Sequence, residues 1–310
     1  MNHLVAIVGP TGVGKSRLAL KLAQIFNGEI VSADSRQVYR HMDIGTAKPS
    51  RKELSLIPHH LIDTVNLDEA FSLAQYQELA YRAIDDIHKR QKLPIFVGGS
   101  GLYVWSVVEG WEVPRVPPDL DFRCRLEAKA ANGDGDELYR QLMNVDPVAA
   151  EKIDKRNVRR VIRALEIYKG TKSTARQPQF RKAPPYNTLL MGLTTDRAEL
   201  YQKIDSRVNR MIAQGLVKEV RRLIDMGYSL DLPAISGIGY RQIAMFQKGE
   251  LSLAEAIEQI KFESHRFVRH QYNWFRLKDS RIRWFDITDE AGSEIAALVD
   301  RFILRNESES

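Results

Sequence analysis

Short apolar runs alternate with amphipathic stretches through the first third of the chain. LVAIV (4–8), EIVSA (29–33), LIDTV (61–65) and PIFVGG (94–99) read as buried strands, brief, rich in β-branched residues and bounded by turn formers. Between the last two, Ser72 with Gln75 makes a capping box that opens a helix predicted to reach about Arg90. Strands joined by crossovers of this length predict an α/β fold with a mostly parallel, doubly wound sheet.

The pattern breaks at VPRVPPD (113–119), where Pro114, Pro117 and Pro118 exclude a continuous helix or central strand. A second proline pair, Pro184 and Pro185, precedes TLLMGLT (188–194), again a strand pattern. The intervening text is helical and polar: DFRCRLEAKAA, DELYRQLMNV and NVRRVIRALEIYKG, with Gly170 expected as a C-cap. The expected organisation is a discontinuous core, residues 1–113 and 187–310, interrupted by a helical insertion domain over 114–186. Further on, Asp196 with Glu199 and Ser252 with Glu255 each open a helix. The second is predicted to run to about Lys278, near 40 Å at about 1.5 Å per residue, and the tail NESES is expected to fray.

Composition narrows the class. A chain of 310 residues suits about two domains at roughly 150 each, and 44% hydrophobic with 28% charged residues excludes a collagenous or wholly disordered chain. Cys124 is the single cysteine, which excludes an internal disulfide, and no Cys and His spacing suits zinc. The longest uncharged stretch, residues 93–108, is interrupted by Pro94, Gly98, Gly99 and Gly101 and falls short of the roughly 20 apolar residues of a membrane span. MNHLVAIVGP enters a strand pattern with no basic leader. A soluble cytoplasmic protein, free of the membrane and monomeric, is the expectation.

The charge is uneven. The chain carries +6 in all, yet residues 155–182 hold ten basic side chains against Glu166 alone, +9 in one segment and −3 elsewhere. Solvated helix faces usually mix signs, so this block favours a polyanionic partner.

GPTGVGKS matches the phosphate-loop pattern G-x-x-x-x-G-K-[ST] between a strand and the helical run SRLALKLAQIF. It comprises Gly9, Pro10, Thr11, Gly12, Val13, Gly14, Lys15 and Ser16. The glycines let backbone N–H groups converge on phosphate oxygens, Lys15 supplies charge, and Ser16 offers a hydroxyl to Mg²⁺. A glycine turn of purely structural purpose would not explain the Lys-Ser pair. A nucleotide hydrolase would also want a strand ending in Asp, and a GTPase an Asn-Lys motif. Here the best strand ends in Val97-Gly98-Gly99 and no Asn-Lys dipeptide exists. Such a loop can equally hold a diphosphate that departs intact.

With GPTGVGKS, the segments ADSRQVYRHMDIGTAKP (33–49), HHLID (59–63), VGGSGLY (97–103), RRVIRALE (159–166), GIGYRQ (237–242) and a late basic-aromatic helix resemble the tRNA dimethylallyltransferases, or tRNA isopentenyltransferases. The motifs run in order over nearly the whole chain. The resemblance implies transfer of a dimethylallyl group from dimethylallyl diphosphate to N6 of the adenine just 3′ of a tRNA anticodon, with Mg²⁺, releasing pyrophosphate. It implies a P-loop NTPase-like core whose insertion grips tRNA, in the compact form of bacterial members, without the C-terminal Cys and His extension of eukaryotic ones.

By the same resemblance Asp34 is the general base, a need set by the weakly nucleophilic adenine amine; its other reading is a carboxylate capping a turn or holding Mg²⁺ through water. Thr11 and Arg207 contact the leaving phosphates, although Arg207 also reads as a surface helix residue one turn from Arg210. Asp34, Ser35, Arg36 and Gln37 contact tRNA, as do Ser100 and Gly101, which alternatively form a turn that permits close packing. Further tRNA contacts are implied at Arg123, Arg159, Arg160, Val161, Ile162 and Arg163, at Gly237, Gly239, Tyr240 and Arg241, and at Arg269, Gln271 and Arg276. On that last helix Trp274 and Phe275 read as core. Prenyl transfer to free AMP, ADP or ATP, a P-loop kinase, and a noncatalytic RNA-binding protein are the competing readings; the basic block disfavours the first, Asp34 in its DSRQVY setting and the missing Mg²⁺ carboxylate strand the second, and the intact Thr11, Lys15, Ser16 and Asp34 set the third.

Overall fold

The computed structural model describes residues 3–171, 185–287 and 291–304. The chain divides into two compact units, one of Met1–Glu69, Gln77–Val108 and Pro184–Ser310, the other of Ala70–Tyr76 and Glu109–Ala183. The division thus falls a few residues before each expected boundary, and residues 70–76 group with the second unit.

In chain order the elements begin β1 (His3–Val8), α1 (Lys15–Ile25), β2 (Gly28–Ala33), α2 (Arg51–Leu56), β3 (His59–His60), α3 (Leu73–Lys89), β4 (Leu93–Gly98) and α4 (Gly101–Val108). The second unit supplies α5 (Leu120–Lys129), α6 (Gly135–Val145), α7 (Pro147–Glu151) and α8 (Val158–Thr171). Then follow β5 (Asn187–Thr194), α9 (Arg197–Ala213), α10 (Leu216–Asp225), α11 (Tyr240–Gln247), α12 (Leu253–Trp274), β6 (Arg283–Asp286) and α13 (Ala291–Leu304).

All strands lie in the first unit, in one six-stranded sheet of order β3-β2-β4-β1-β5-β6 with every pairing parallel. Every residue of β1, β2 and β4 is buried, as expected where helices cover both faces of a parallel sheet. The predicted caps form: Ser72 with Gln75, Ser252 with Glu255, and Asp196 accepting from the N–H groups of Ala198 and Glu199. The second unit has its own core, Leu126, Leu138, Leu142, Ala150, Val161, Ile162, Ala164 and Leu165.

Four local expectations change. LIDTV is not a strand: only His59 and His60 pair with β2, while Leu61 and Asp63 take left-handed φ of 62° and 53°, and Val65 makes an isolated bridge to Tyr39. That bend delivers the Asp63 carboxylate to Lys48 Nζ at 2.6 Å, where Asp43 also pairs at 2.8 Å. Gly170 lies inside α8, where an added Cβ would come within 2.7 Å of Val116; close approach of two segments explains it, and it is not a cap. The helix α12 ends at Trp274, giving 22 residues and about 33 Å, because Phe275 leaves the helix and is fully buried, its ring 6.1 Å from that of Trp105. The short β6, with only Phe285 buried, had no run long enough to register as a strand. The NESES tail and most of the second proline break lie outside the described residues.

Candidate active site

The phosphate loop leaves β1 and enters α1 at the carboxyl ends of the parallel strands, where ligands bind in such sheets. Gly9 has φ 136°, and a Cβ there would lie 2.4 Å from the Leu193 carbonyl oxygen, so no other residue fits this crossing. Gly14 caps α1 in a left-handed conformation without a capping side chain, which leaves the first-turn N–H groups facing outward. Lys15 Nζ folds over the loop, donating to the carbonyls of Gly9 at 2.9 Å and Pro10 at 2.7 Å. Burial, reinforced by Arg207 and opposed by Asp34, lowers its pKa to about 7.

Arg207, on α9, is drawn into the same site. Its Nη1 donates to Thr11 Oγ1 at 3.1 Å, and burial depresses its pKa while Asp34 resists and Arg210 assists. Arg210 itself is exposed, so Arg207 is the arginine that reaches the loop. Gln271, buried on α12, accepts from the Thr11 N–H at 2.8 Å and donates to the Gly99 carbonyl at 3.1 Å. Its side chain therefore joins the phosphate loop to the β4–α4 turn; the structure places it at the loop and gives it no outward face for RNA.

Asp34 follows β2. One carboxylate oxygen accepts from the N–H groups of Arg36 at 2.8 Å and Gln37 at 3.4 Å, so the turn-capping geometry is present. The other makes no hydrogen bond among the described residues. Ser100 Oγ accepts from the Ser35 N–H at 3.0 Å, tying the DSRQ turn to the β4–α4 turn. Gln37 accepts from Ser32 Oγ and donates to the carbonyls of Thr46 and Ala47. Arg36 donates to the carbonyls of Pro233 and Ala234 and to Ser236 Oγ, and Gly237 lies against it, an added Cβ falling 3.3 Å from Arg36 Nε. Thr11, Lys15, Asp34, Ser35, Arg36, Gln37, Ser100, Arg207 and Gly237 thus form one connected constellation.

Tyr103 belongs to it as well: burial raises its phenol pKa, the charges of Tyr39 and Asp34 add, and Arg36 opposes. Tyr39 is raised by burial against Arg36. Neither tyrosine stood out in the sequence, although each sits at the end of a quoted motif. Glu219 had no sequence signal at all. From α10 its buried carboxylate accepts from the N–H groups of Asp43 (3.0 Å), Ile44 (2.8 Å) and Gly45 (3.2 Å) and from the Tyr240 hydroxyl, and so holds the loop that carries Thr46 and Ala47.

That clamp changes the reading of Tyr240. Its ring is buried beneath Gly45, where a Cβ would meet it at 2.4 Å, and burial together with Glu219 drives its phenol pKa far upward. It is a packing residue, while Arg241 beside it is exposed and Gly239 opens α11 with φ 94°. Gly101 is likewise a close-packing position, a Cβ there falling 2.2 Å from Trp274 Cγ. Arg269 and Arg276 are exposed.

In the second unit Glu166, 1% exposed, binds Arg123 through two hydrogen bonds of 2.9 and 2.8 Å and Arg163 through a third, and accepts from the Asp119 N–H at 2.7 Å. Burial would raise its pKa, but those donors lower it. Val161 and Ile162 are core. Lys155, Arg156 and Lys169 pair with Asp136, Asp154 and Asp119, all acids outside the counted segment. Arg159 and Arg160 are exposed and make no ion pair among the described residues. Lys172, Arg176, Arg181 and Lys182 lie outside those residues.

No cluster of three His, Cys, Asp or Glu side chains suited to a metal occurs among the described residues, nor any helix long and apolar enough to cross a membrane. The exposed Ser16 hydroxyl fits Mg²⁺ of the kind held by one side chain, substrate phosphates and water.

A parallel sheet whose glycine loop feeds a helix N-terminus, with Lys15 and Arg207 beside it, defines a P-loop-like α/β protein. A sequence model described as IPP transferase matches residues 37–278. The chain belongs to the IPP transferase family. It is 49% identical over 300 residues to a tRNA dimethylallyltransferase of Dehalococcoides mccartyi, covering 97% of this chain and 92% of that one. With a tRNA dimethylallyltransferase of Thermomicrobium roseum it shares 48% over 307 residues, covering 99% and 93%. The crystal structure of the full-length tRNA isopentenylpyrophosphate transferase from Bacillus halodurans superposes with TM-score 0.71 at 41% identity, covering 97% of this chain and 96% of that one. A eukaryotic dimethylallyltransferase acting on tRNA gives TM-score 0.83 at 28% identity, covering 98% and 80%.

Proposed function

We propose that the chain transfers a dimethylallyl group from dimethylallyl diphosphate to N6 of the adenine just 3′ of a tRNA anticodon. The observation that carries this reading is the placement of Asp34 within electrostatic reach of both Lys15 and Arg207 at the mouth of the phosphate loop. A carboxylate is thereby set beside a cationic diphosphate site. The names of the relatives, tRNA dimethylallyltransferase, support the same substrate pair.

In this reading Thr11, Lys15 and Arg207 hold the diphosphate and take up the charge that develops as the carbon–oxygen bond breaks and pyrophosphate leaves with the electron pair. A bound diphosphate favours the charged form of Lys15, opposing the burial that lowers its pKa. The N6–carbon bond forms as Asp34 removes the N6 proton. Ser16 would hold Mg²⁺, which supplies further positive charge to the leaving group. Ser35, Arg241 and Arg276 face the RNA, and the helical unit, as an inserted domain, grips it through Arg159 and Arg160; the buried Gly101, Gly237 and Gly239 act behind that surface by permitting close packing. The target base must leave its stack to reach the carbon. The enzyme acts as a cytoplasmic monomer.

The test is purified protein with dimethylallyl diphosphate, Mg²⁺ and an unmodified anticodon stem-loop. Prenylated RNA is expected; transfer to free AMP with none to RNA refutes the proposal.

A further inference from the structure

Away from the phosphate loop, α9 and α12 pack side by side and bring together a second group of cations. Arg197 Nε donates to Tyr201 Oη at 3.1 Å, and Arg269 Nη1 donates to the same oxygen at 3.2 Å. The Arg197 guanidinium also lies over the Tyr201 ring, 5.2 Å from its centroid. The Tyr201 ring also stacks on His265, at 4.0 Å and 6°, whose Nε2 is 2.8 Å from Asp205 Oδ1. Tyr201 thus packs against His265, whose Nε2 makes no hydrogen bond among the described residues despite its closeness to Asp205. Neither Arg197 nor Arg269 pairs with a carboxylate among the described residues, and both are exposed.

We propose that Arg197, Tyr201 and Arg269 form a seat for one backbone phosphate of the RNA substrate. Two like charges converging on one neutral oxygen repel each other unless an anion joins them. Each guanidinium spends one donor on the phenol and retains the rest of its five-donor fork, a geometry matched to phosphate oxygens. Burial alone would raise the Tyr201 phenol pKa, but the hydrogen bonds from the two arginines bring it below its ordinary value, so the oxygen acts as an acceptor of both. The same two helices carry Arg207 and Gln271, which contact Thr11. Ten residues separate Arg197 from Arg207 on α9, about 15 Å along the axis. This inference rests on the proposed function and adds to it two residues, Arg197 and Tyr201, that no motif singled out.

The test is anisotropy of a labelled anticodon stem-loop titrated at several KCl concentrations with wild type, Arg197→Ala, Tyr201→Phe and Arg301→Ala, the last removing an exposed charge on α13. Arg197→Ala should reduce the salt slope by about 0.7–0.9, the value of one phosphate contact, and Tyr201→Phe should weaken binding severalfold with no change in charge. Arg301→Ala should do neither. A wild-type slope in Arg197→Ala overturns the seat, as does an equal loss in Arg301→Ala, which would make the effect one of net charge. Prenylation by wild type is measured on the same RNA. If it proceeds while Arg197→Ala keeps its slope, the seat alone fails; if wild type neither binds nor prenylates the stem-loop, the proposed function fails with it.

Discussion

Replacing Glu219 by Gln tests whether the buried carboxylate organises the loop behind the DSRQ turn. The carboxylate receives three backbone N–H groups and the Tyr240 hydroxyl. A glutamine keeps one acceptor oxygen and sets an NH₂ group where the other stood, so about half of these donors face a donor. A lost hydrogen bond to a charged group costs about 1.5–3 kcal/mol. Asp43 is exposed and can turn to water, so the expected total is about 3 kcal/mol rather than twice that. If the loss appears as local opening, 3 kcal/mol corresponds to a roughly 100-fold rise in amide exchange. Hydrogen exchange by mass spectrometry over residues 42–47 reads it directly, with melting lowered by about 6 °C at some 2 °C per kcal/mol for a chain this large. Gln37 loses the fixed carbonyls of Thr46 and Ala47, so the KM for RNA should rise. Unchanged exchange across residues 43–45, with melting within a degree of wild type, would refute the clamp.

Three further outcomes are expected. Asp34→Ala should bind the stem-loop within about twofold of wild type yet lose about 10²–10⁴ in turnover, the range for a positioned base; wild-type turnover removes Asp34 from that role. Arg159→Ala with Arg160→Ala should lower the salt slope of RNA binding by about 1.4–1.8, two phosphate contacts, whereas Arg123→Ala should chiefly destabilise the helical unit by stripping a partner from buried Glu166, a contrast read by comparing binding slopes with melting. Glu29, fully buried, accepts from His60 at 2.7 Å, Lys92 at 2.9 Å and Arg90; burial opposes ionisation, but these bonds hold its pKa at about 2. Because the folded value lies below the unfolded one, its contribution of about 3 kcal/mol is complete above pH 4.5 and disappears as pH falls toward 2. The acid-unfolding curve of Glu29→Gln should lack that component, and superimposable curves would count against it.

Much of the sheet was legible from the chain because β1, β2, β4 and β5 are apolar runs with glycine or proline at their ends. The segment 61–65 misled because its apolar letters do not reveal that Leu61 and Asp63 sit in left-handed conformations. Gly170 and Gly101 look like punctuation, yet one lies against Val116 and the other beneath Trp274, contacts between residues far apart in sequence. The free charge of the basic block was overcounted for a related reason: Asp119, Asp136 and Asp154 stand outside it in sequence but pair with Lys169, Lys155 and Arg156 in space.

The phosphate loop could be read from residues 9–16 alone, since strand, glycines, Lys15, Ser16 and helix are consecutive and their chemistry is local. So could the family, from the order of its motifs. What those residues touch was decided only by folding. Gln271 reaches Thr11 across 260 positions and Glu219 reaches Ile44 across 175. Arg197 meets Arg269 at one phenol oxygen because α9 packs on α12. Polar side chains carry no periodic signature of their partners, and hydrogen bonds of this length exist only once the sheet and helices have set the distances.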